Sequence, residues 1–187
     1  MIIKPNYIKT VSKLARLIDS SDACRRRHCY KVEQHSILIC RGLRLPVRDV
    51  KVIKIASMLH DIGKIGIDLT VIKKPAKLTI DEWQQVRMHP DIGANIIKQL
   101  GFLNEIIPIV RHHHERFDGG GYPDPGMMGT SIPIGSRIIS VADAYDAMIN
   151  DRPYRKAMTK DVAVAELKRC AGTQFDPAVV NAFLSVY

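Results

Sequence analysis

Aromatic residues make up only 6% of this 187-residue chain, with a single tryptophan, and that scarcity argues against a surface that stacks the bases of a nucleic-acid polymer. Cysteine is equally sparse. Its four copies, Cys24, Cys29, Cys40 and Cys170, form neither a CxxC pair nor the framework of a small secreted scaffold, so a reducing cytoplasm is expected. No apolar run approaches the roughly 20 residues needed to cross a bilayer, and MIIKPNYIK carries no signal-peptide core, so neither a membrane span nor export is expected. Alternation of apolar and polar residues is never sustained, which leaves little for β-strands.

The chain has a formal net charge of +9 and a pI near 9.5, which calls for an anionic partner. Its basic residues are scattered, at Arg25 to Arg27, Lys73-Lys74 and Arg152 to Lys156, so a small phosphorylated substrate accounts for the charge as well as a polymer does. The Arg25 to Arg27 run itself reads as a solvated helix face. At 46% apolar and 25% charged, this length supports one core and one globular domain.

Apolar residues recur at helical spacing along most of the chain, as in Val50, Ile53, Ala56 and Leu59, which predicts an all-α fold. Helices are expected near 7–19, 22–42, 47–60, 80–100, 103–114, 134–149, 159–171 and 177–186. Thr79 to Glu82 matches a capping box, and Asp176-Pro177 places a cap residue before a proline at the first helical position. Residues 65–78 and 115–133 resist helix; the second segment holds five glycines and three prolines and follows His113-His114-Glu115, which marks it as functional.

All seven histidines lie between residues 28 and 114. His60-Asp61, with Lys64 three positions on, joins two metal ligands to a cation able to neutralise phosphate. His28, His89, His113 and His114 are the natural further ligands. A mixed imidazole and carboxylate site suits first-row transition metals, and Asp61 can bridge two ions through its two oxygens. His113 and His114 lie about 100° apart on a helix, so both meet one site only if it sits over the edge between them or at a fraying helix end. His112 points elsewhere, as a surface or supporting residue, and His35 is expected to be packed. His89 precedes Pro90, which biases it away from helical dihedrals. Asp143 and Asp146 share a helix edge, one to bind metal and the other to meet substrate.

HDIGKIGI, KPAKLT, DEW, MHPDIG, HHERFDGGGYP, RIISVADAYDAM, DRPYRKA and AGTQFDP stand in an order that resembles the HD-GYP branch of the HD metal-dependent phosphohydrolases, bacterial enzymes that hydrolyse cyclic di-GMP. The resemblance spans about residues 28–184. It implies an HD-type helical bundle with a helical GYP-containing extension and a catalytic domain over 21–187, preceded by an N-terminal helix or connector over 1–20. It also implies a metal centre on His28, His60, Asp61, His89, His113, His114 and Asp143. Lys64, Tyr122, Asp146, Arg152 and Arg155 take the positions that touch substrate phosphate or guanine.

The expected activity is hydrolysis of cyclic di-GMP to linear dinucleotide or GMP by in-line attack of a metal-bound hydroxide, with Asp61 and Lys64 as the catalytic residues. Two divalent ions are expected, iron or manganese before nickel or zinc. Members with a third metal carry a glutamate four residues before the first ligand histidine, where this chain has Cys24, so a dinuclear centre is expected. A fused or separate sensory or receiver domain and a homodimer are compatible with such a module. The rival reading is a non-catalytic cyclic di-GMP receptor or protein-interaction module on the same scaffold.

Overall fold

The computed structural model describes Val11, Lys13, Leu14 and residues 28–151 and 156–187. Most of the helix expected over 7–19, the start of that over 22–42, Cys24, Arg25 to Arg27, Arg152 and Arg155 lie outside those residues. Among the described residues there are nine α-helices and no β-strand. They are α1 His28–Gly42, α2 Val47–Leu59, α3 Leu69–Ile72, α4 Ile80–Arg87, α5 His89–Leu100, α6 Ile107–Arg111, α7 Ile134–Ile149, α8 Lys160–Arg169 and α9 Pro177–Val186. Short 3₁₀ turns at Ile62–Gly66, Asn104–Ile106 and Gly129–Ser131 fill the connections.

Helices α1, α2 and α7 form the centre of the bundle. Val32 and Ile39 of α1, Ala56 and Leu59 of α2, and Ile138, Val141, Ala142 and Tyr145 of α7 are buried in one core with Phe183 of α9 and Val11. Each contributes the 3.6-residue stripe that its sequence carries. His35 packs in this core as expected, edge-on to Tyr145 at 5.1 Å between ring centres.

Both expected caps are present. Thr79 Oγ1 accepts from the Glu82 N–H at 3.3 Å while Glu82 Oε2 accepts from the Thr79 N–H at 2.7 Å, and Asp176 accepts from the Ala178 N–H at 2.8 Å. Two expected long helices are broken. That over 80–100 divides at Met88, because Pro90 has no N–H to continue the ladder and stands instead in the first turn of α5. That over 103–114 begins as a 3₁₀ turn, with Pro108 in the first turn of α6, and its last helical residue is Arg111.

Candidate metal centre

Three histidines are set by one device. An α-helix leaves its last carbonyls without helical partners. His60, directly after α2, donates from Nδ1 to the Ser57 carbonyl at 2.7 Å; His89, just after α4, donates to Val86 at 2.7 Å; His113, just after α6, donates to Val110 at 2.6 Å. Each ring reaches back three residues. A ring nitrogen facing a carbonyl carries the proton, so Nε2 keeps its lone pair and points away from the helix end. For His89 the acceptor is the very carbonyl that Pro90 leaves without a donor. His89 therefore sits in the first turn of α5, a correction to the extended dihedrals expected of it, and is aimed by its ring bond instead.

Asp61 stands between these histidines, at the start of the Ile62–Gly66 turn. That turn lies against the start of α5: a methyl group added at Gly63 would come within 1.9 Å of the His89 carbonyl oxygen. Only glycine permits the approach. As a result Asp61 Oδ1 lies 3.4 Å from His89 Nε2, while Oδ2 lies 3.6 Å from His60 Nε2 and 3.9 Å from His28 Nε2. Lys64 Nζ closes on Oδ2 at 2.5 Å.

The seven expected ligands are thereby gathered into two groups. Asp61, His89, His113 and His114 form one, and His28, His60 and Asp143 the other; within each, ligand atoms lie within 4.8 Å of one another. His28, the first described residue of α1, and Asp143, in the middle of α7, meet across the helix contact with Nε2 and Oδ1 3.2 Å apart. The residues present suit a metal. His60 Nε2 is fully buried with no hydrogen-bond partner, a costly state that a cation would relieve.

Sequence profiles agree with this geometry, since that of the HD domain matches residues 12–179. The chain belongs to the HD-domain family. Among HD-domain relatives it is 40% identical over 178 residues to the cyclic di-GMP phosphodiesterase response regulator RpfG of Xanthomonas campestris, covering 94% of this chain and 47% of that protein. It is 34% identical over 167 residues to 3'3'-cGAMP-specific phosphodiesterase 3 of Vibrio cholerae, covering 89% and 36% respectively. The chain thus spans about half or less of the length of these relatives. The crystal structure of a cyclic GMP-AMP-specific phosphodiesterase of V. cholerae superimposes with a TM-score of 0.75 at 19% identity, over 94% of this chain and 47% of that one. The HDG"Y"P protein Bd1817 of Bdellovibrio bacteriovorus gives 0.70 at 17%, over 96% and 63%.

In this HD domain the electrostatics suit ligation. Burial pushes His60 down, His89 to about 3 and His114 to about 4, and His113 lies well below the ordinary imidazole value, so these rings are neutral with lone pairs available. His28 differs. Burial opposes its charge, yet hydrogen bonds with Asp143 and Asp146 outweigh burial and raise it to about 9. Asp143 is held well below the carboxylate range, since the His28 ring overcomes the cost of its burial.

Tyr122 stacks on His114, with ring centres 4.9 Å apart and planes 23° from parallel. Burial raises its phenol above the usual value, which keeps it a neutral O–H donor. The loop bearing it is tied down. Gly121 lies so close to Glu115 and Arg116 that an added methyl would meet the Arg116 nitrogen at 2.3 Å, and Asp124 makes a two-pronged pair with Arg111 at 2.5 and 2.7 Å. His112 is buried in this tie, 3.6 Å from Glu115 and 3.8 Å from Asp124, and lies outside both ligand groups.

Asp146 departs from expectation. It is buried, with Oδ2 2.7 Å from His28 Nδ1 and Oδ1 accepting from Asn150 at 2.8 Å, so it stands behind a ligand instead of facing the open side. The i, i+3 edge it shares with Asp143 is real, but α1 fits between them: Asp143 takes one nitrogen of His28 and Asp146 the other. Sequence reasoning also passed over Arg87. Its guanidinium carbon lies 5.1 Å from the Tyr122 ring centre, at the end of a helix with no buried residue. The one available signal was Arg87 standing two positions before His89.

Proposed function

We propose that this chain is a metal-dependent phosphodiesterase that hydrolyses cyclic di-GMP to the linear dinucleotide or GMP. The observation that carries this reading is Asp61, whose two oxygens face the two ligand groups, with Lys64 beside one of them. His28, His60 and Asp143 would hold one divalent ion and His89, His113 and His114 with Asp61 another. Imidazole with carboxylate favours iron or manganese, then nickel or zinc. When bound, such ions supply Lewis-acid activation of water and neutralise charge developing on phosphorus.

The residues of this chain do the rest. Lys64, part-buried beside Asp61, is placed to donate to a phosphate oxygen and would steady the negative charge there. Tyr122 donates its O–H toward substrate from a ring held flat on His114. Arg152 and Arg155 supply further phosphate contacts suited to two-pronged binding. Residues 21–187 constitute the catalytic unit, which acts with a sensory or receiver segment, fused or separate.

Metal analysis of anaerobically purified protein, with turnover and product identification on cyclic di-GMP and 3'3'-cGAMP side by side, tests the reading. About two ions per chain and faster turnover of cyclic di-GMP are expected. Metal-loaded protein that binds cyclic di-GMP without cleaving it would overturn the enzyme in favour of a receptor.

A further inference from the structure

Behind His28 runs a chain of polar contacts that the proposed chemistry does not use. Asp146 Oδ2 faces His28 Nδ1 at 2.7 Å; Asn150 Nδ2 donates to Asp146 Oδ1 at 2.8 Å and to the Asp146 carbonyl at 2.7 Å; Lys31 Nζ donates to Asn150 Oδ1 at 2.5 Å. Asp146 is buried, and Asn150 and Lys31 are half-buried toward the surface. Both amide hydrogens of Asn150 meet an acceptor. Asn150 can face only one way, because its amide nitrogen has two carboxyl-side acceptors while its oxygen takes the lysine.

This polarity has a consequence for His28. A carboxylate fixed with one oxygen on Asn150 and the other on the imidazole can only accept, so Nδ1 must be the protonated nitrogen. Nε2 is then turned into the ligand group beside Asp143 and Asp61. We propose that Asp146, Asn150 and Lys31 are positioning residues for the first metal ligand, fixing both the tautomer and the orientation of His28. Helix α1 supplies His28 and Lys31, and α7 with the residue just beyond it supplies Asp146 and Asn150, so the same contacts fix the helix pair to the ligand. The inference rests on the reading that the cluster binds metal.

Donor and acceptor logic separates this role from simple packing. In Asp146→Asn the new amide must set its NH₂ either against that of Asn150 or against the imidazole; the second arrangement moves the ring proton to Nε2 and removes the ligand. In Asn150→Asp two carboxylates face each other. The paired change Asp146→Asn with Asn150→Asp restores the side-chain order, in which residue 146 accepts from His28 and donates to residue 150, which accepts from Lys31, at the cost of the bond that Asn150 gives the main-chain carbonyl of residue 146.

Metal affinity, measured by competition with a chelator, reads the effect without any substrate, and the His28 Nδ1–H resonance in zinc-loaded protein reads the tautomer. Asp146→Asn is expected to bind metal about 10–100-fold more weakly and to lose that resonance, Asn150→Asp to bind about 10-fold more weakly with the resonance kept, and the pair to regain the resonance and most of the affinity. Lys31→Met, at the outer end, is expected to fold normally and weaken binding about 2–10-fold, a graded loss from the remotest of these supports. Wild-type affinity in the single variants, or no recovery in the pair, would overturn the proposal; if the single variants do not fold, unchanged affinity in Lys31→Met overturns it. A wild type that binds no metal overturns the earlier reading itself, whereas one that binds metal with unaffected variants sinks this proposal alone.

Discussion

His60, His89 and His113 are held by main-chain carbonyls at the ends of helices, whereas His28 is held by a side chain on a neighbouring helix. The difference separates what the backbone guarantees from what single residues supply. A carbonyl at a helix end cannot be mutated away, and it fixes the ring wherever the helix stops. A carboxylate can be exchanged, and it brings charge as well as position. The half with His89 and His113 is therefore fixed by where helices α4 and α6 end. The half with His28 and Asp143 takes only His60 from a helix end, that of α2, and otherwise depends on the α1–α7 contact and on Asp146.

Asp61 is the residue common to both halves, and its loss gives the largest effect. Asp61→Ala is expected to remove both ions and all measurable turnover, because one group loses its sole carboxylate and the other keeps only that of Asp143. Elemental analysis of the purified variant is the check. Full metal content would show that Asp61 does not join the halves.

Gly63→Ala strains the half that contains His89, where the turn meets α5, and leaves the contacts of His28 with Asp143 and Asp146 intact. A methyl within 1.9 Å of the His89 carbonyl must push the turn off α5. A stability loss of about 1–3 kcal/mol is expected, on the scale of overpacking, with one ion lost and the other retained. Denaturant unfolding and metal content measured on one preparation decide the matter. Loss of both ions would mean that the halves are not separable.

The same division governs what the sequence made legible. The His60-Asp61 pair and His113-His114 lie where the helical pattern stops, and adjacent polar residues at a helix end are conspicuous. Even so, periodicity ran the helix of 80–100 through Met88, since Pro90 is compatible with a first turn and the break precedes it. His28 and Asp143 sit inside ordinary amphipathic helices, where residue type and a shared helix edge mark them as ligand candidates and the resemblance supports the choice. Asp146 was given the wrong face, because an i, i+3 spacing identifies an edge and cannot say what packs between its two members. Asn150, one turn beyond Asp146, and Lys31, one turn beyond His28, have charge or polarity on surface-like positions, and nothing in the order of residues links them across 119 positions.

Lys64→Ala tests the side of the site that faces phosphate. Both halves should keep their metal, since no ligand is touched, while turnover falls about 10–1000-fold, the range for a lost group that stabilises transition-state charge. Metal loss in this variant would mean that the Lys64–Asp61 contact at 2.5 Å positions the ligand and that Lys64 does not act on substrate.

The smallest effect is expected at Arg87, which touches neither half directly. Its guanidinium lies against Tyr122, and Tyr122 stacks on His114, a ring for which no carbonyl bond of the kind holding the other three is seen. An exposed cation–π contact contributes about 0.5–1 kcal/mol, so Arg87→Ala should cost about 2–5-fold. The cost should fall on KM, because a freed Tyr122 loses a settled orientation before it loses its O–H. Arg87→Lys keeps a cation over the ring and should recover most of the loss, which a purely packing role for the longer side chain would not give. A fall in kcat with KM unchanged would place Arg87 in the transition state instead, and a drop in metal content would mean that the stack of arginine, tyrosine and histidine is a third means by which this site fixes a ligand.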